Sequence, residues 1–429
     1  MSRLALLGGD RTVPEGMMGP WPVVTEADRQ AVLRALDDPD GERVENESLA
    51  REFAEYLGVR YCIPTNSGTA ALHMCVAAVR AQPGDEVICP AFTYWATAAA
   101  VLHHNVIPVF VDIEPETFNM DPAQVEGAIS ERTKAILAVH IHGMPADMDP
   151  IIEIARRHDL AVIEDCAQAA GAVYRGRKVG TLGDCAGFSL QASKPLSSGS
   201  QGGLFVTDDE QLWRMAGLLQ YLGELVVPGR ERETQAYNAY GLGWMYRGHK
   251  LGLAFTRSQL PRLEEYNAVR RANAERLDAG LARIPGVRTA ACPGDRVSAG
   301  FEFVVEFRPQ DVGLDVPVGV FREAMQAALR AEGVPTHRWQ TLPVPAQAIF
   351  QVREGYGRGC PWVCHGSTVT YDATGYPVTQ RFIDGRAYVA GVRPPNGSDL
   401  MDLYAQAFRK VLAEPAAVVD ACRPAEAKA

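Results

Sequence analysis

The stretch AVIED (161–165) is followed along this 429-residue chain by two more apolar runs, GFSL (187–190) and GLFVT (203–207). Each run is short, and Gly or Asp stands at its boundaries. Continuous apolar character predicts burial on both faces of a strand, which occurs in sheets that helices cover. The three runs therefore predict strands of an α/β layer.

The upstream sequence extends this pattern. Further strands are predicted at Glu86–Cys89, Pro108–Asp112 and Ala135–His140, and helical patterns lie among the strands at Pro122–Ile129 and Met148–His158. Strands that alternate with helices are typical of parallel sheets. We predict an α/β fold whose large domain has a mostly parallel central sheet.

The length of the chain exceeds the size at which a single core keeps growing, so two domains are expected. After a long predicted helix at Thr256–Leu281, the pattern changes to a strand at Phe301–Phe307 and helices at Val320–Glu332 and Asp399–Leu412. This change indicates a smaller C-terminal α+β domain, with a loose end at Glu414–Ala429. The predicted boundaries are an N-terminal arm at 1–25, the large domain at 26–255, a linking helix at 256–285 and the small domain at 286–429.

Composition narrows the function classes. A net charge of −10 disfavours nucleic acids and anionic membranes as partners, because both require clustered Lys and Arg. The sequence has no apolar run of 18 residues and no export signal, so we expect neither a membrane span nor secretion but a cytoplasmic protein. The nine cysteines are then predicted to be buried free thiols.

Three local features carry candidate chemistry. Ser67, Gly68 and Thr69 open a predicted helix, and such a start suits a phosphate, although a simple N-cap without ligand is the commoner meaning. Asp165 ends an apolar strand, where it could pair with a protonated pyridine nitrogen or cap the next segment. Lys194 follows another strand; burial would make its amine a nucleophile, whereas an isolated lysine there is usually a surface charge.

The order of these features resembles the DegT/DnrJ/EryC1/StrS family of sugar aminotransferases, which have the aspartate-aminotransferase fold. The resemblance covers roughly residues 5 to 275. Its remaining motifs are PGDEVI (83–88), PAFTY (90–94), Pro108–Asp112, Val139–Met148 with its PADM (145–148), the segment 164–172, the segment 183–203 and Tyr246-Arg247. Motifs this numerous, in this order, are highly specific for the family.

The resemblance implies a role for each matching residue. Lys194 would bear the Schiff base of pyridoxal 5′-phosphate (PLP) and move the substrate proton, Asp165 would pair with the pyridine nitrogen, and Gln168 would lie beside the phenolic oxygen. Tyr94 would stack on the cofactor ring, which aromatic faces favour. The phosphate contacts implied are Ser67, Gly68, Thr69 and Ser189.

Two segments depart from the family pattern. Relatives usually read Gly-Glu-Gly-Gly after the lysine, whereas this chain has GSQGG (199–203), which is longer and lacks the glutamate. Met245 stands where relatives often carry an asparagine that serves the partner subunit's phosphate site. The first departure leaves the substrate and the reaction detail open, and the second predicts more reliance on the protomer's own phosphate contacts.

Other side chains are weaker candidates. His140 and His142 follow a strand end, and Arg247 and His337 are further possible substrate contacts, although packed or solvated side chains are at least as common in such positions. The CPWVCH stretch (360–365) resembles a metal cluster, but a closed zinc site needs four ligands, so no metal is predicted. Similar CPWxC stretches in cyclitol aminotransferases place it instead in a substrate-side loop.

The predicted function is amino transfer from glutamine or glutamate to a keto-cyclitol or keto-sugar, in aminoglycoside-type or amino-sugar biosynthesis, by a homodimer with shared active sites. The segment Leu6–Gly9, the Trp21-Pro22 pair and the Cys360 stretch favour a cyclitol or free-sugar ketone, with a nucleotide-linked keto-sugar as runner-up. A PLP enzyme of the same fold with other chemistry remains an alternative. A non-catalytic regulator would be expected to lose Lys194 or Asp165.

Overall fold

The computed structural model describes residues 3–224 and 239–423, and these residues form three sheets. The strands are β1 (Tyr61–Thr65), β2 (Glu86–Pro90), β3 (Ile107–Val111), β4 (Thr133–Val139), β5 (Ala161–Asp165), β6 (Val173–Tyr174), β7 (Arg177–Lys178), β8 (Cys185–Ser189), β9 (Gly203–Thr207), β10 (Val287–Thr289), β11 (Arg296–Val297), β12 (Phe303–Phe307), β13 (Thr336–His337) and β14 (Arg386–Val389).

Helices cover these sheets and connect their strands. They are α1 (Glu26–Asp37), α2 (Gly41–Leu57), α3 (Gly68–Ala78), α4 (Ala96–His103), α5 (Pro122–Val125), α6 (Met148–Arg157), α7 (Glu210–Gln220), α8 (Lys250–Gln259), α9 (Leu263–Leu281), α10 (Val318–Ala331), α11 (Ala348–Val352), α12 (Pro377–Gly385), α13 (Ser398–Leu412) and α14 (Pro415–Cys422).

The largest sheet has seven strands in the order β1-β9-β8-β5-β4-β2-β3. The neighbouring strands β3, β2, β4, β5 and β8 pair in parallel, and β9 and β1 add antiparallel pairs at one edge. This confirms the α/β fold with a mostly parallel central sheet. Ligands of such sheets bind beyond the carboxyl ends of the strands, so the ends of β4, β5 and β8 mark where a site is expected.

The smaller sheet has the antiparallel order β10-β12-β14-β13 and packs on α10 and α13 around a second core. Leu4 and Val13, from the predicted N-terminal arm, are buried in that same core. The carboxylate of Glu332, after α10, accepts hydrogen bonds from the backbone N–H groups of Ala5 and Thr12. Both ends of the chain therefore contribute to the second core, and the predicted domain boundaries remain a prediction.

Most predicted elements agree with the structure to within two residues. Two predictions need correction, and one strand of the central sheet was not predicted. The predicted helix at Thr256–Leu281 is interrupted at a 3₁₀ turn over Leu260–Arg262, because Pro261 supplies no N–H for the helix. Strand β1 escaped prediction. The end predicted to be loose contains α14, which buries Val418 and Val419, while residues 424–429 lie outside the described part of the chain.

The prediction of buried free thiols was wrong for four of the nine cysteines. Cys360 and Cys364 form a disulfide, and Cys292 and Cys422 are exposed. The disulfide encloses Trp362, which is buried and donates from its Nε1 to the hydroxyl of Tyr371 over 2.9 Å. Trp362 therefore anchors the CPWVCH stretch in the protein core, whereas Val363 and Cys364 are exposed.

None of the helices within residues 3–224 and 239–423 combines the length and the apolar character that crossing a membrane requires.

Candidate active site

The strand ends of the central sheet meet at a cavity of about 460 Å³. Asp165 is the last residue of β5, Ser189 is the last residue of β8, and Lys194 follows five residues later. The structure brings together all eight residues that the resemblance assigned to the cofactor, and each lines the cavity: Ser67, Gly68, Thr69, Tyr94, Asp165, Gln168, Ser189 and Lys194.

Lys194 is an unpaired amine at the floor of this cavity. No residue in the described part of the chain forms a hydrogen bond or an ion pair with its Nζ, which lies 4.4 Å from the centroid of the Phe301 ring. Burial lowers the pKa of Lys194 to about 8, against the opposing charges of Asp165 and Glu302. A substantial fraction of the amine is therefore neutral and nucleophilic near physiological pH.

Asp165 is a buried carboxylate without a cationic partner among residues 3–224 and 239–423. Its Oδ2 accepts from the hydroxyl of Thr97 over 2.7 Å, and its Oδ1 accepts from the N–H of Ala167 over 3.0 Å. Burial raises the pKa of Asp165 in spite of these hydrogen bonds and the nearby Lys194. A buried carboxylate of this kind is suited to a cation that enters with a ligand.

The neighbouring Glu164 faces away from the cavity. Its carboxylate accepts hydrogen bonds of 2.7 to 2.8 Å from the backbone N–H groups of Gly180, Leu182 and Gly183. His140 lies 3.0 Å away through Nε2, and its Nδ1 accepts from a backbone N–H, so the proton is on Nε2 and is donated to Glu164. His140 therefore serves this buried network and does not line the cavity.

The start of α3 forms a cradle beside Ser189. Ser67 caps the helix by accepting from the N–H of Ala70, and the first-turn N–H groups at Gly68 and Thr69 have no acceptor within the helix. A Cβ atom at Gly68 would lie 2.8 Å from the Cβ of Ser189, so only glycine permits this approach. Exposed N–H groups at a helix start suit a phosphate.

The side chain of Gln168 is held by the backbone N–H of His142. The Oε1 of Gln168 accepts from the N–H of His142 over 2.7 Å, which leaves its Nε2 to donate toward the cavity. The imidazole of His142 is itself buried and points to Tyr388, with 2.9 Å between Nε2 and the hydroxyl. His142 is thus not among the residues that line the cavity.

The remaining predicted substrate contacts divide in the same way. His337 lines the cavity, where its ring stacks on Tyr388 with 5.4 Å between centroids. Arg247 forms an ion pair of 3.1 Å with Glu42 and does not line the cavity. The two segments that depart from the family pattern also lie near the site. Gln201 reaches the cavity from the GSQGG loop, and the backbone oxygen of Met245 accepts a hydrogen bond from the side-chain amide of Asn66.

Two charged residues of this region were not predicted. Glu302 lines both this cavity and an adjoining one of about 270 Å³, which Arg393 also lines. Within the described residues, neither side chain has a hydrogen bond or an ion pair. Burial raises the pKa of Glu302 to about 7, although the charges of Arg393 and Lys194 oppose the shift. No local motif marks either residue, and only the fold brings Glu302 beside Lys194 and Arg393 beside Glu302.

The donor set of the cavity fits PLP. The cradle at Gly68 accommodates its phosphate, the unpaired Asp165 suits its protonated ring nitrogen, and the unpaired Lys194 can bond to its aldehyde. When bound, PLP supplies an electron sink for negative charge that forms on the substrate carbon. Fold and site together thus define the class of PLP-dependent enzymes with the aspartate-aminotransferase fold.

Comparison with known proteins identifies the family. The model of the DegT/DnrJ/EryC1/StrS aminotransferase family matches residues 24–365, and the chain belongs to this family. An L-glutamine:2-deoxy-scyllo-inosose aminotransferase of Streptoalloteichus tenebrarius is 38% identical over 327 residues, which cover 72% of this chain and 76% of that protein. The protein is accordingly a PLP-dependent aminotransferase.

Two further relatives show the breadth of the family. GDP-perosamine synthase of Caulobacter vibrioides is 45% identical over 220 residues, which cover 51% of this chain and 57% of the synthase. The crystal structure of DesV of S. venezuelae has a TM-score of 0.76 at 29% identity and covers 90% of this chain and 94% of that one. The fold is therefore shared with this solved structure along nearly the whole chain.

Proposed function

We propose that this protein transfers the amino group of glutamine or glutamate to a keto-cyclitol or a free keto-sugar. The observation that carries the proposal is the pair of adjoining cavities, where the ionisable side chains of Lys194, Glu302 and Arg393 have no hydrogen bond or ion pair within the described residues. A carboxylate accepts hydrogen bonds from several hydroxyl groups, and a guanidinium binds the carboxylate of an amino acid. The two substrates would therefore use the same space in turn.

The cofactor residues are proposed to act as their surroundings suggest. Asp165 would keep the ring nitrogen protonated, since its buried charge otherwise lacks a partner. Gln168 would donate from Nε2 to the phenolic oxygen, and Tyr94 would lie against the ring. The phosphate would be bound by Ser67, Gly68, Thr69 and Ser189, which surround the start of α3.

Lys194 is proposed to move the substrate proton. Its Nζ would take the proton from the amino-bearing carbon of the donor and deliver one to the cofactor carbon that had carried the aldehyde. The two steps would run in reverse for the acceptor. A pKa of about 8 suits both directions, since a base and its conjugate acid must both be available near neutral pH.

The acceptor is proposed to be a cyclitol because relatives of that kind cover more of the chain. L-glutamine:scyllo-inosose aminotransferase of Streptomyces griseus, for example, is 38% identical over 68% of this chain. A nucleotide-linked keto-sugar is the second candidate, and the 45% identity to GDP-perosamine synthase over half of the chain favours it. Retention of Lys194 and Asp165 speaks against a non-catalytic regulator.

We also propose a homodimer with shared active sites, in the cytoplasm. Tyr94 lines the cavity, yet 59% of it is exposed, which indicates that the site is incomplete at that side. Further exposed apolar side chains, including Leu242 and Trp244, precede Met245 and Tyr246, next to the segment that holds Asn66. A second copy that covered these side chains would remove apolar surface from water.

The test is a spectroscopic assay on the purified protein. Glutamine, glutamate and alanine are added singly, and loss of the visible absorption of the lysine-bound cofactor identifies the donor. The converted enzyme is then mixed with 2-deoxy-scyllo-inosose or with a nucleotide-linked 4-keto sugar. Recovery of the absorption with the cyclitol alone supports the proposal, whereas recovery with the nucleotide sugar alone overturns it in favour of the second candidate.

A further inference from the structure

We propose that Arg386 and Tyr388, on strand β14 of the smaller sheet, are positioning residues that orient Gln168 through His142. The proposal rests on the proposed cofactor site, because Gln168 is the residue expected beside the phenolic oxygen. It assigns a role to buried residues more than 200 positions away from Gln168 in the sequence.

A continuous series of short hydrogen bonds joins these residues. The Nε of Arg386 donates to the hydroxyl oxygen of Tyr388 over 2.8 Å. That hydroxyl lies 2.9 Å from the Nε2 of His142, and the backbone N–H of His142 donates to the Oε1 of Gln168 over 2.7 Å. The series begins in the smaller sheet and ends at the wall of the cofactor cavity.

The protonation states fix the direction of these bonds. Burial and the charge of Arg386 lower the pKa of His142 well below its ordinary value, so its imidazole is neutral and can accept. Burial raises the pKa of Tyr388, so its hydroxyl retains its proton. The oxygen of Tyr388 accepts from Arg386, and its proton is therefore donated to Nε2 of His142.

The backbone at His142 is held in an unusual conformation. His142 has φ 58° and ψ 10°, in the left-handed region that a non-glycine residue adopts at a cost of about 1 kcal/mol or more. A Cβ atom on the next residue, Gly143, would lie 3.1 Å from the backbone oxygen of Gln168 and 3.0 Å from the nitrogen of Phe301. The anchored imidazole and this tight packing together aim the N–H at Gln168.

Arg386 is a buried cation without a carboxylate partner within residues 3–224 and 239–423. Its Nη2 donates to the backbone oxygen of Gln340, and its Nη1 is buried with no hydrogen-bond acceptor. The guanidinium carbon lies 4.7 Å from the ring centroid of Phe92 and 5.7 Å from that of Trp339, which lines the cavity. Such a costly burial is expected where the charge polarises a neighbouring group, here the hydroxyl of Tyr388.

The functional consequence concerns the two ends of the Gln168 amide. With Oε1 occupied by His142, only the donor Nε2 faces the cavity, where it would stabilise negative charge on the phenolic oxygen. If the hold on His142 is lost, the amide can rotate and present its acceptor oxygen, which would repel that charge. Positioning by Arg386 and Tyr388 would thus set the pH at which the bound cofactor changes its absorption.

The main test compares two buried tyrosine hydroxyls. Tyr388→Phe removes the link to His142, whereas Tyr404→Phe removes a buried hydroxyl of α13 that has no hydrogen-bond partner in the described chain. In the PLP-loaded enzyme, we expect Tyr388→Phe to raise the pH midpoint of the absorption change by roughly 0.5 to 1 unit, as loss of one hydrogen bond predicts. Tyr404→Phe should match the wild type, and equal midpoints for all three proteins would overturn the proposal.

A second readout needs no cofactor and separates this proposal from the proposed function. In the cofactor-free protein, the side-chain amide NMR signal of Gln168 should shift in Tyr388→Phe and stay in place in Tyr404→Phe. Arg386→Gln provides another entry to the same series if Tyr388→Phe does not fold. An unmoved Gln168 signal contradicts the network even if the enzyme binds PLP, whereas a shifted signal with no PLP binding contradicts the proposed function alone.

Discussion

Glu164 and Asp165 are adjacent buried carboxylates at the end of β5, yet they belong to two different regions of the molecule. Glu164 faces a closed pocket in which three backbone N–H groups and His140 bind it. Asp165 faces the cofactor cavity with two hydrogen bonds and no cation among the described residues. The pKa of Glu164 is lowered through these hydrogen bonds in spite of burial, and that of Asp165 is raised by burial.

This difference shows that the two faces of one strand can carry a structural carboxylate and a ligand-binding carboxylate. Successive side chains of a strand point to opposite faces, so one residue step moves a carboxylate from a satisfied site to an open one. A satisfied buried charge stabilises the fold, whereas an unpaired one is kept for a ligand. Substitutions on the two sides should therefore have opposite kinds of effect.

The largest effect is expected on the cavity side at Lys194. Lys194→Ala should lower the rate of amino transfer on the order of 10⁴-fold, because the base that moves the proton is lost. The same variant should retain no cofactor after borohydride reduction, as measured by the mass of the intact protein. Lys194→Arg, which keeps the cation but has no nucleophilic amine, is the control and should also carry no added mass; added mass on either variant would place the attachment elsewhere.

Asp165→Asn should reduce the donor half-reaction by roughly 10² to 10³-fold, since the amide cannot stabilise a protonated ring nitrogen. The free energy of unfolding of the cofactor-free variant should be unchanged or higher, because an unpaired buried charge has been removed. Single-turnover absorbance and denaturant unfolding measure the two quantities. A large loss of stability with little loss of rate would reverse the assignment of the two carboxylates.

Glu164→Gln should show the opposite pattern, with a loss of stability and little change in the rate of amino transfer. The amide can no longer accept from three N–H groups and His140 together, and breaking one partner of a buried network costs about 3 kcal/mol of unfolding free energy. Protein that remains folded should keep its amino-transfer rate within a factor of a few. Glu153→Gln, at an exposed position on α6, is the matched control and should change neither quantity.

The smallest effect is a difference in pH dependence. The folded pKa of Glu164 lies below its ordinary 4.5, so its stabilisation is complete above that pH and is lost as pH falls through the folded pKa. The folded pKa of Asp165 lies above its ordinary 3.8, so its contribution is fully present below 3.8 and is lost as pH rises through the folded pKa. The check is the unfolding midpoint of each cofactor-free variant, measured across pH. Glu164→Gln should remove a rise in stability with pH, and Asp165→Asn should remove a fall in stability with pH.

The sequence predicted the central sheet because its strands depend on local patterns, whereas the residues expected to hold the cofactor came from the resemblance to the family. Asp165 ends one apolar strand and Lys194 follows another, and the strand ends of a parallel sheet converge. The predictions for His140 and His142 identified the right strand end, but chain position alone does not tell which way a side chain points. His140 turns to Glu164, and His142 turns to Tyr388.

Residues that act through tertiary contact escaped prediction. Glu302 and Arg393 follow no motif. Glu302 reaches Lys194, and Arg393 reaches Glu302, only because the smaller sheet packs over the cavity. The pairing of Cys360 with Cys364 likewise depends on the fold of their loop, since composition indicated free thiols. Strand β1 contains Pro64, a residue that lowers strand propensity, and it lies at the edge of the sheet where proline is tolerated.

The burial of Leu4 and Val13 in the second core has a consequence for how the chain is made. Their partners on α10 and α13 lie more than 300 residues downstream, so during synthesis these side chains leave the ribosome long before anything can cover them. The central sheet can form meanwhile, because all its strands precede residue 208. A segment that is translated before the central sheet is thus among the last to be buried.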